Sequence, residues 1–355
     1  MKPRIVSILV ATFAVCLAAT SSAVPATPGV REAIGQLMLV RMHGRAPSQS
    51  FLDRIRRGEI GGVVLFADNY GPGGPAHLTT MLQRAAHEGG QPPLLIAIDQ
   101  EGGFVKRLPG APALAPPQMR SATIAEAQGY ATARNLRQSG INLDLAPVLD
   151  VGRGGFITPR TFGSTPAQVA ARGPAFALGL AKGGITASGK HFPGLGYATL
   201  STDASPATVG ATRAQLHADL APFRAAITAS IGTVMVSTAV YASLAPRVPA
   251  ADSSAIVSGL LRERLGFRGV IISDALKTPA VNRYFSTSEA ARRAIAAGVD
   301  LVLAAGVTGD YADTDGASIS TYDALVEATR SGRIPQETIQ SAYERVLALK
   351  ARITH

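Results

Sequence analysis

The chain has 355 residues, 46% of them hydrophobic, a formal charge of +10 and one cysteine. That lone Cys16 excludes a disulfide framework and Cys-type zinc sites. The basic residues are scattered rather than run together, which leaves no stripe for a nucleic-acid partner.

The first element is a leader. Met1 to Ala23 has a basic start (Lys2, Arg4), an apolar run from Ile5 to about Ala19, and small residues at Ser21, Ser22 and Ala23. This is the three-part layout of a secretory signal peptide, with cleavage expected after Ala23. An apolar run of about 15 residues is short for a bilayer core of about 30 Å, so no stable membrane insertion is expected after cleavage. Phe13-Ala14-Val15 suits a lipoprotein signal at Cys16 poorly, and cleavage would leave no cysteine for thiol catalysis. Losing Lys2 and Arg4 takes the charge from +10 to +8. The expected destination is secreted or extracytoplasmic, in a periplasm or cell wall, where a basic surface suits a polyanionic neighbour.

From residue 24 to residue 355 one domain is expected. Runs rich in Val, Ile and Leu read as strands at Gly35 to Met42, Gly62 to Ala67, Leu94 to Asp99, Leu143 to Leu149, Ile185 to His191, Thr233 to Ser237, Gly269 to Ser273 and Asp300 to Ala304. Helical segments fall between them at Pro75 to Glu88, Ile124 to Ser139, Pro166 to Lys182, Thr212 to Ala229, Ser254 to Leu265 and Thr287 to Ala297, and a last one at Pro335 to Arg352 closes the domain. Eight apolar strands alternating with helices predict an α/β protein of the (β/α)8 TIM-barrel type. The rival is an open doubly wound sheet, but no GxGxxG or GxxxxGK[ST] turn follows the first strand.

Barrel enzymes carry their chemistry at the carboxyl ends of strands. The third run ends in Asp99-Gln100-Glu101-Gly102-Gly103, the fourth in Asp150, the fifth in Lys190-His191 and the seventh in Ser273-Asp274. Ionisable groups from separate strands thus converge on one rim, and Asp150 reads equally well as a helix N-cap. A cation and an imidazole ending an apolar strand would be costly to bury without partners. With no phosphate-gripping loop, metal cluster or Ser/His/Asp order beside them, these groups suit sugar recognition with glycosyl transfer to water.

The segments IDQEGG (98–103), APVLDV (146–151), GKHFPGLG (189–196) and GVIISDAL (269–276) resemble glycoside hydrolase family 3, specifically its single-domain β-N-acetylglucosaminidase branch. The resemblance covers nearly all of the chain after the leader. It implies that Asp99 hydrogen-bonds sugar hydroxyls, that Arg107 shapes the pocket, that Arg160 binds substrate and that Lys190 with His191 grips the sugar. It implies Asp274 as the nucleophile of a retaining exo-hydrolase acting on terminal β-linked N-acetylglucosamine, in peptidoglycan fragments or similar glycans. The family's acid/base histidine has no counterpart: its loop aligns with Ser201-Thr202-Asp203, which leaves Asp203 as the expected acid/base. Phe104 stands where the family has an arginine, and Thr238 where a histidine is expected.

Two alternatives remain open at this point. One is a glycan-binding protein without turnover, and the other a β-glucosidase or β-xylosidase, whose acid commonly comes from a second domain that is not found here. The expected partner is a carbohydrate, and no cofactor is implied, since hydrolysis by two carboxylates needs neither metal nor nucleotide.

Overall fold

The computed structural model describes residues 29–306 and 314–353, so the leader expected at residues 1–23 lies outside the described residues. Among the described residues no helix is long and apolar enough to cross a membrane.

The eight expected strands form, seven of them shorter than the apolar run and β5 of equal length but one residue further on: β1 Met38–Arg41, β2 Gly62–Leu65, β3 Leu95–Ile98, β4 Leu143–Asp144, β5 Thr186–Phe192, β6 Thr233–Val236, β7 Val270–Ser273 and β8 Val302–Ala304. All pair in parallel, in the order β7-β6-β5-β4-β3-β2-β1-β8. A bridge between Ile272 and Leu301 joins the two ends and closes the (β/α)8 barrel. Covered by helices outside and by one another inside, the strands bury nearly every side chain, which is why the sequence runs apolar instead of alternating.

The ends of the elements carry the corrections. Gly35, expected to open the first strand, belongs to the helix Val30–Gln36. There a Cβ would lie 1.7 Å from the Gly58 carbonyl oxygen, so only glycine lets the helix seat against that turn. The helix expected from Thr212 to Ala229 divides at Leu220 into Arg213–Asp219 and Ala221–Thr228, because Pro222 brings no N–H to the helical ladder. The segment expected as a helix from Ser254 is a π-helix, Ala255–Arg264. The helices Gln49–Arg56 and Thr314–Arg330 had no counterpart in the sequence reading.

Strand β4 ends at Asp144, well before Leu149, since Pro147 cannot donate to a ladder. The chain nonetheless keeps company with β5: Ser188 N–H donates to the Ala146 carbonyl, Lys190 to Pro147, and Leu149 to Lys190. This irregular track carries Asp150 to the height of His191.

At the opposite end, the last helix, Gln336–Lys350, places the buried Lys350 ammonium against Gln36 Oε1 at 2.6 Å and the Gly61 carbonyl at 2.8 Å. Among the described residues no carboxylate pairs with it, and burial brings its pKa down from 10.5 to about 7. Below pH 7 the folded and unfolded chains both hold this proton, and the fold bears the full desolvation cost. Between about 7 and the ordinary lysine value only the unfolded chain holds it, so that cost shrinks as pH rises. Lys350 is therefore expected to make unfolding free energy climb by roughly 1 kcal/mol per pH unit over that window. Subtracting urea-unfolding free energies of Lys350→Met from wild type at each pH isolates the effect. A difference that stays flat would show a lysine charged in the fold throughout.

Candidate active site

The first wall of the site is built by the residues after β3. Asp99 directly follows the strand, and the chain turns through a hairpin of Gln100–Gly102 and Val105–Lys106. Gly102 and Gly103 occupy its tip with φ of 95° and 62°, a region that other residues rarely enter. Phe104 follows them, 82% exposed. Beneath the hairpin the buried Gln100 amide acts as a pin: its oxygen accepts from the Arg107 and Leu108 N–H groups, and its nitrogen donates to the Leu108 and Ala111 carbonyls. Arg107 is fixed in backbone by that pin and lies over the Phe66 ring at 5.4 Å, with Arg41 over the same ring at 4.0 Å. Asp68 holds Arg41 through both carboxylate oxygens.

Five charged side chains from three segments then interlock. Lys190, at the end of β5, is buried with its ammonium 2.6 Å from Asp99 Oδ1 and 2.7 Å from Glu101 Oε1. Glu101 also receives both forks of Arg160, at 2.9 and 2.7 Å. Arg107 approaches the other Asp99 oxygen at 3.8 Å. Burial pushes the Glu101 carboxyl up, but the charges of Arg160 and Lys190 and their hydrogen bonds overcome it and bring it down to about 2. The same partners, Asp99 and Glu101, outweigh desolvation at Lys190 and hold its pKa above the ordinary value, so it stays an ammonium. Asp144 lies fully buried below, where desolvation raises its carboxyl to about 8 while Oδ1 accepts from the Gln100 N–H.

His191 is positioned by Asp150. The fully buried Asp150 accepts from the backbone N–H groups of His191 and Leu195, and its Oδ2 stands 2.6 Å from His191 Nδ1. With Nδ1 so engaged, Nε2 is the nitrogen left for the pocket. Asp150 caps no helix, so the N-cap reading is set aside. The loop beyond His191 is tied down from a distance, since Arg153 pairs with the buried Asp219 at 2.5 Å and stacks on Tyr197 at 5.1 Å.

The remaining wall carries two carboxyl groups. Asp274 follows β7, its N–H donating to the Val236 carbonyl and its Oδ1 accepting from the Ala275 N–H. Asp203 sits in a turn whose Ser201 hydroxyl accepts the Asp203 N–H at 3.3 Å. Burial, together with the charge of Asp274, raises the Asp203 carboxyl to about 6, with His191 and Arg160 pulling the other way. One carboxyl that holds a proton in weak acid beside a second carboxyl is the arrangement that acid/base and nucleophilic work require.

All seven residues expected at the site, Asp99, Arg107, Arg160, Lys190, His191, Asp203 and Asp274, line this one pocket. Thr238 does not line it, and its buried hydroxyl has no hydrogen-bond partner in the structure. The sequence reading passed over Glu101 as a site residue and left the task of Asp150 open. The QEGG motif signalled the first by placing an acid in an otherwise neutral turn. Phe66 and Arg41 gave no signal at all.

The chain matches the model of the glycosyl hydrolase family 3 N-terminal domain over residues 29–349. It is 32% identical over 333 residues to an uncharacterized secreted glycosyl hydrolase of Arthroderma benhamiae, covering 90% of this chain and 93% of that one. It is 37% identical over 258 residues to a β-hexosaminidase of Nitrosomonas eutropha, covering 69% and 73%. Among solved structures, a family 3 β-N-acetylglucosaminidase from Paenibacillus sp. FPU-7 superimposes with a TM-score of 0.85 at 33% identity. That match takes in 92% of this chain, which spans 62% of the length of the other.

Proposed function

Because the chain belongs to glycosyl hydrolase family 3, we propose that it is a retaining exo-glycosidase releasing terminal β-linked N-acetylglucosamine, with Asp274 as nucleophile and Asp203 as acid/base. The observation that carries this reading is the pocket itself. Asp274 and Asp203, the latter raised to about 6, share it with a clamp of Asp99, Lys190, His191, Arg107 and Arg160.

In the first step the clamp holds the terminal sugar by its hydroxyls. Asp274 Oδ attacks the anomeric carbon, the bond to the leaving oxygen breaks, and the Asp203 proton goes to that oxygen. In the second step Asp203, now a carboxylate, takes a proton from water as the water oxygen attacks the same carbon and releases Asp274. Each step inverts the centre, so the product keeps the substrate's configuration. The pocket is floored by the packed barrel, which supports attack on the end of a sugar chain over its middle.

Peptidoglycan fragments or similar glycans outside the cytoplasm are the proposed substrates. The leader-like residues 1–23 and the secreted relative of Arthroderma benhamiae support that location. The test is a panel of nitrophenyl glycosides: the β-N-acetylglucosaminide is expected to exceed the β-glucoside and β-xyloside by at least about 100-fold in kcat/KM. A faster glucoside would overturn the substrate assignment. Sugar binding without turnover of any glycoside would make the protein a glycan binder.

A further inference from the structure

The barrel end opposite the pocket carries chemistry that the proposed reaction leaves unused. Three clefts, of 590, 200 and 320 Å³, adjoin there around the amino-terminal ends of the strands. The first two meet at Gly184, and the second and third share the Ser230–Gly232 turn and Arg352. Their ionisable lining is of one sign: Arg84, His87 and Arg137 in the first, Arg352 in the next two, and Arg268 and Arg345 in the third. No aspartate or glutamate lines any of the three.

Arg345 is held by the buried Asp300, but no ion pair among the described residues engages the exposed Arg84, Arg137, Arg268 or Arg352. Arg45, Arg120, Arg213 and Arg283, exposed on the other side of the barrel, are likewise without an ion pair among the described residues, so what sets this face apart is the run of cations through adjoining clefts with no carboxylate between them. Glu88, next to His87, is turned away to Arg56. Arg137, in the last turn of the helix Ala122–Gln138, complements the helix dipole. That accounts for neither Arg268 nor Arg352, nor for the lack of acids along the whole arc.

We propose that this face binds a linear polymer with one anionic phosphate per repeat, a single strand lying through the adjoining clefts with arginine forks on its phosphates. Charge complementarity and cleft shape choose this occupant. A strand of nucleic acid would ask for stacking surfaces, and the clefts offer only the His87 imidazole and the buried Phe267 ring. A lipid surface is broad and flat, whereas these cations are strung along a chain of adjoining clefts, which suits a single strand better.

The test uses the whole chain and inorganic polyphosphate, with binding followed by calorimetry over a range of salt concentrations. Binding is expected to weaken steeply with salt. The combined variant R84Q/R137Q/R268Q/R352Q is expected to bind at least about 30-fold more weakly while turning over nitrophenyl glycoside at the wild-type rate. R45Q/R120Q/R213Q/R283Q removes the same charge from loops and a helix start on the other side of the barrel and is expected to stay within about 3-fold of wild type. The Arg→Lys set at the first four positions reports folding and is expected to retain most of the binding. Equal losses in the two glutamine sets would reduce the effect to net charge and overturn the proposal. Tighter binding to oligothymidylate or to anionic phospholipid vesicles than to polyphosphate would overturn it as well.

Discussion

Asp274→Ala is expected to lower kcat by on the order of 10⁴-fold or more while the barrel stays folded and sugar binding stays measurable. The loss follows from covalency. Without a carboxylate at the end of β7 no glycosyl-enzyme forms, and water would have to attack the anomeric carbon in one step from a site not built to hold it. The fold should survive because the Asp274 N–H bond to the Val236 carbonyl belongs to the backbone and persists in alanine. Binding should survive because Lys190, Glu101 and Arg160 interlock without any contribution from Asp274. Turnover of the nitrophenyl N-acetylglucosaminide and a melting curve, taken on the same preparation, make the comparison. Wild-type activity in the variant would remove Asp274 from the mechanism.

Asp203→Asn is expected to cost 10² to 10⁴-fold in kcat on substrates with poor leaving groups, and to erase one limb of the pH profile. The sign of that limb follows from the raised pKa. A general acid must hold its proton when the glycosidic bond breaks, so wild-type kcat/KM should be level below about 6 and fall about tenfold per unit above it. In the variant nothing titrates at that position, and the alkaline fall should vanish. Nitrophenolate leaves without a proton, so with that substrate the defect moves to the second step. Azide, which needs no base, should then rescue turnover and yield a β-glycosyl azide. A profile that keeps its limb in the variant would assign the proton to another group. Because Asp274's charge helps to raise Asp203, Asp274→Asn should also lower the Asp203 pKa, which carbon-detected NMR of the carboxyls can follow.

How much of this was legible in the sequence differs between the fold and the site for one reason. A parallel barrel strand is buried on both faces, so LIAI and VIIS announce themselves by composition alone. The helix Thr314–Arg330 reads as TDGASISTYDALVEATR, where polar and small residues blur any apolar stripe, and it escaped notice. Site residues were legible wherever position at or directly after the carboxyl end of a strand was enough, as for Asp99 and Asp274 after β3 and β7 and Lys190 in the last residues of β5. Asp150 was ambiguous because its partner His191 lies 41 positions away, and only the adjacency of β4 and β5 brings them together. Glu101 escaped for the same reason, since its partner Arg160 is 59 positions distant.

The Gln100 pin and the Ser201 turn set the two halves of the pocket on different footings. In the proposed sugar clamp Glu101 joins Lys190 to Arg160 while Gln100 fixes the backbone of Arg107 beside them, so a change at Glu101 would loosen several. The Asp203 side chain answers to burial and to the charges of Asp274, His191 and Arg160, and its turn is closed by short-range bonds to Ser201. Heritable variation therefore has unequal room in the two halves. On the proposed roles, the proton carrier sits in a three-residue turn that can change without touching the partners of Lys190, Glu101 and Arg160, whereas a change at Glu101 disturbs both of the others.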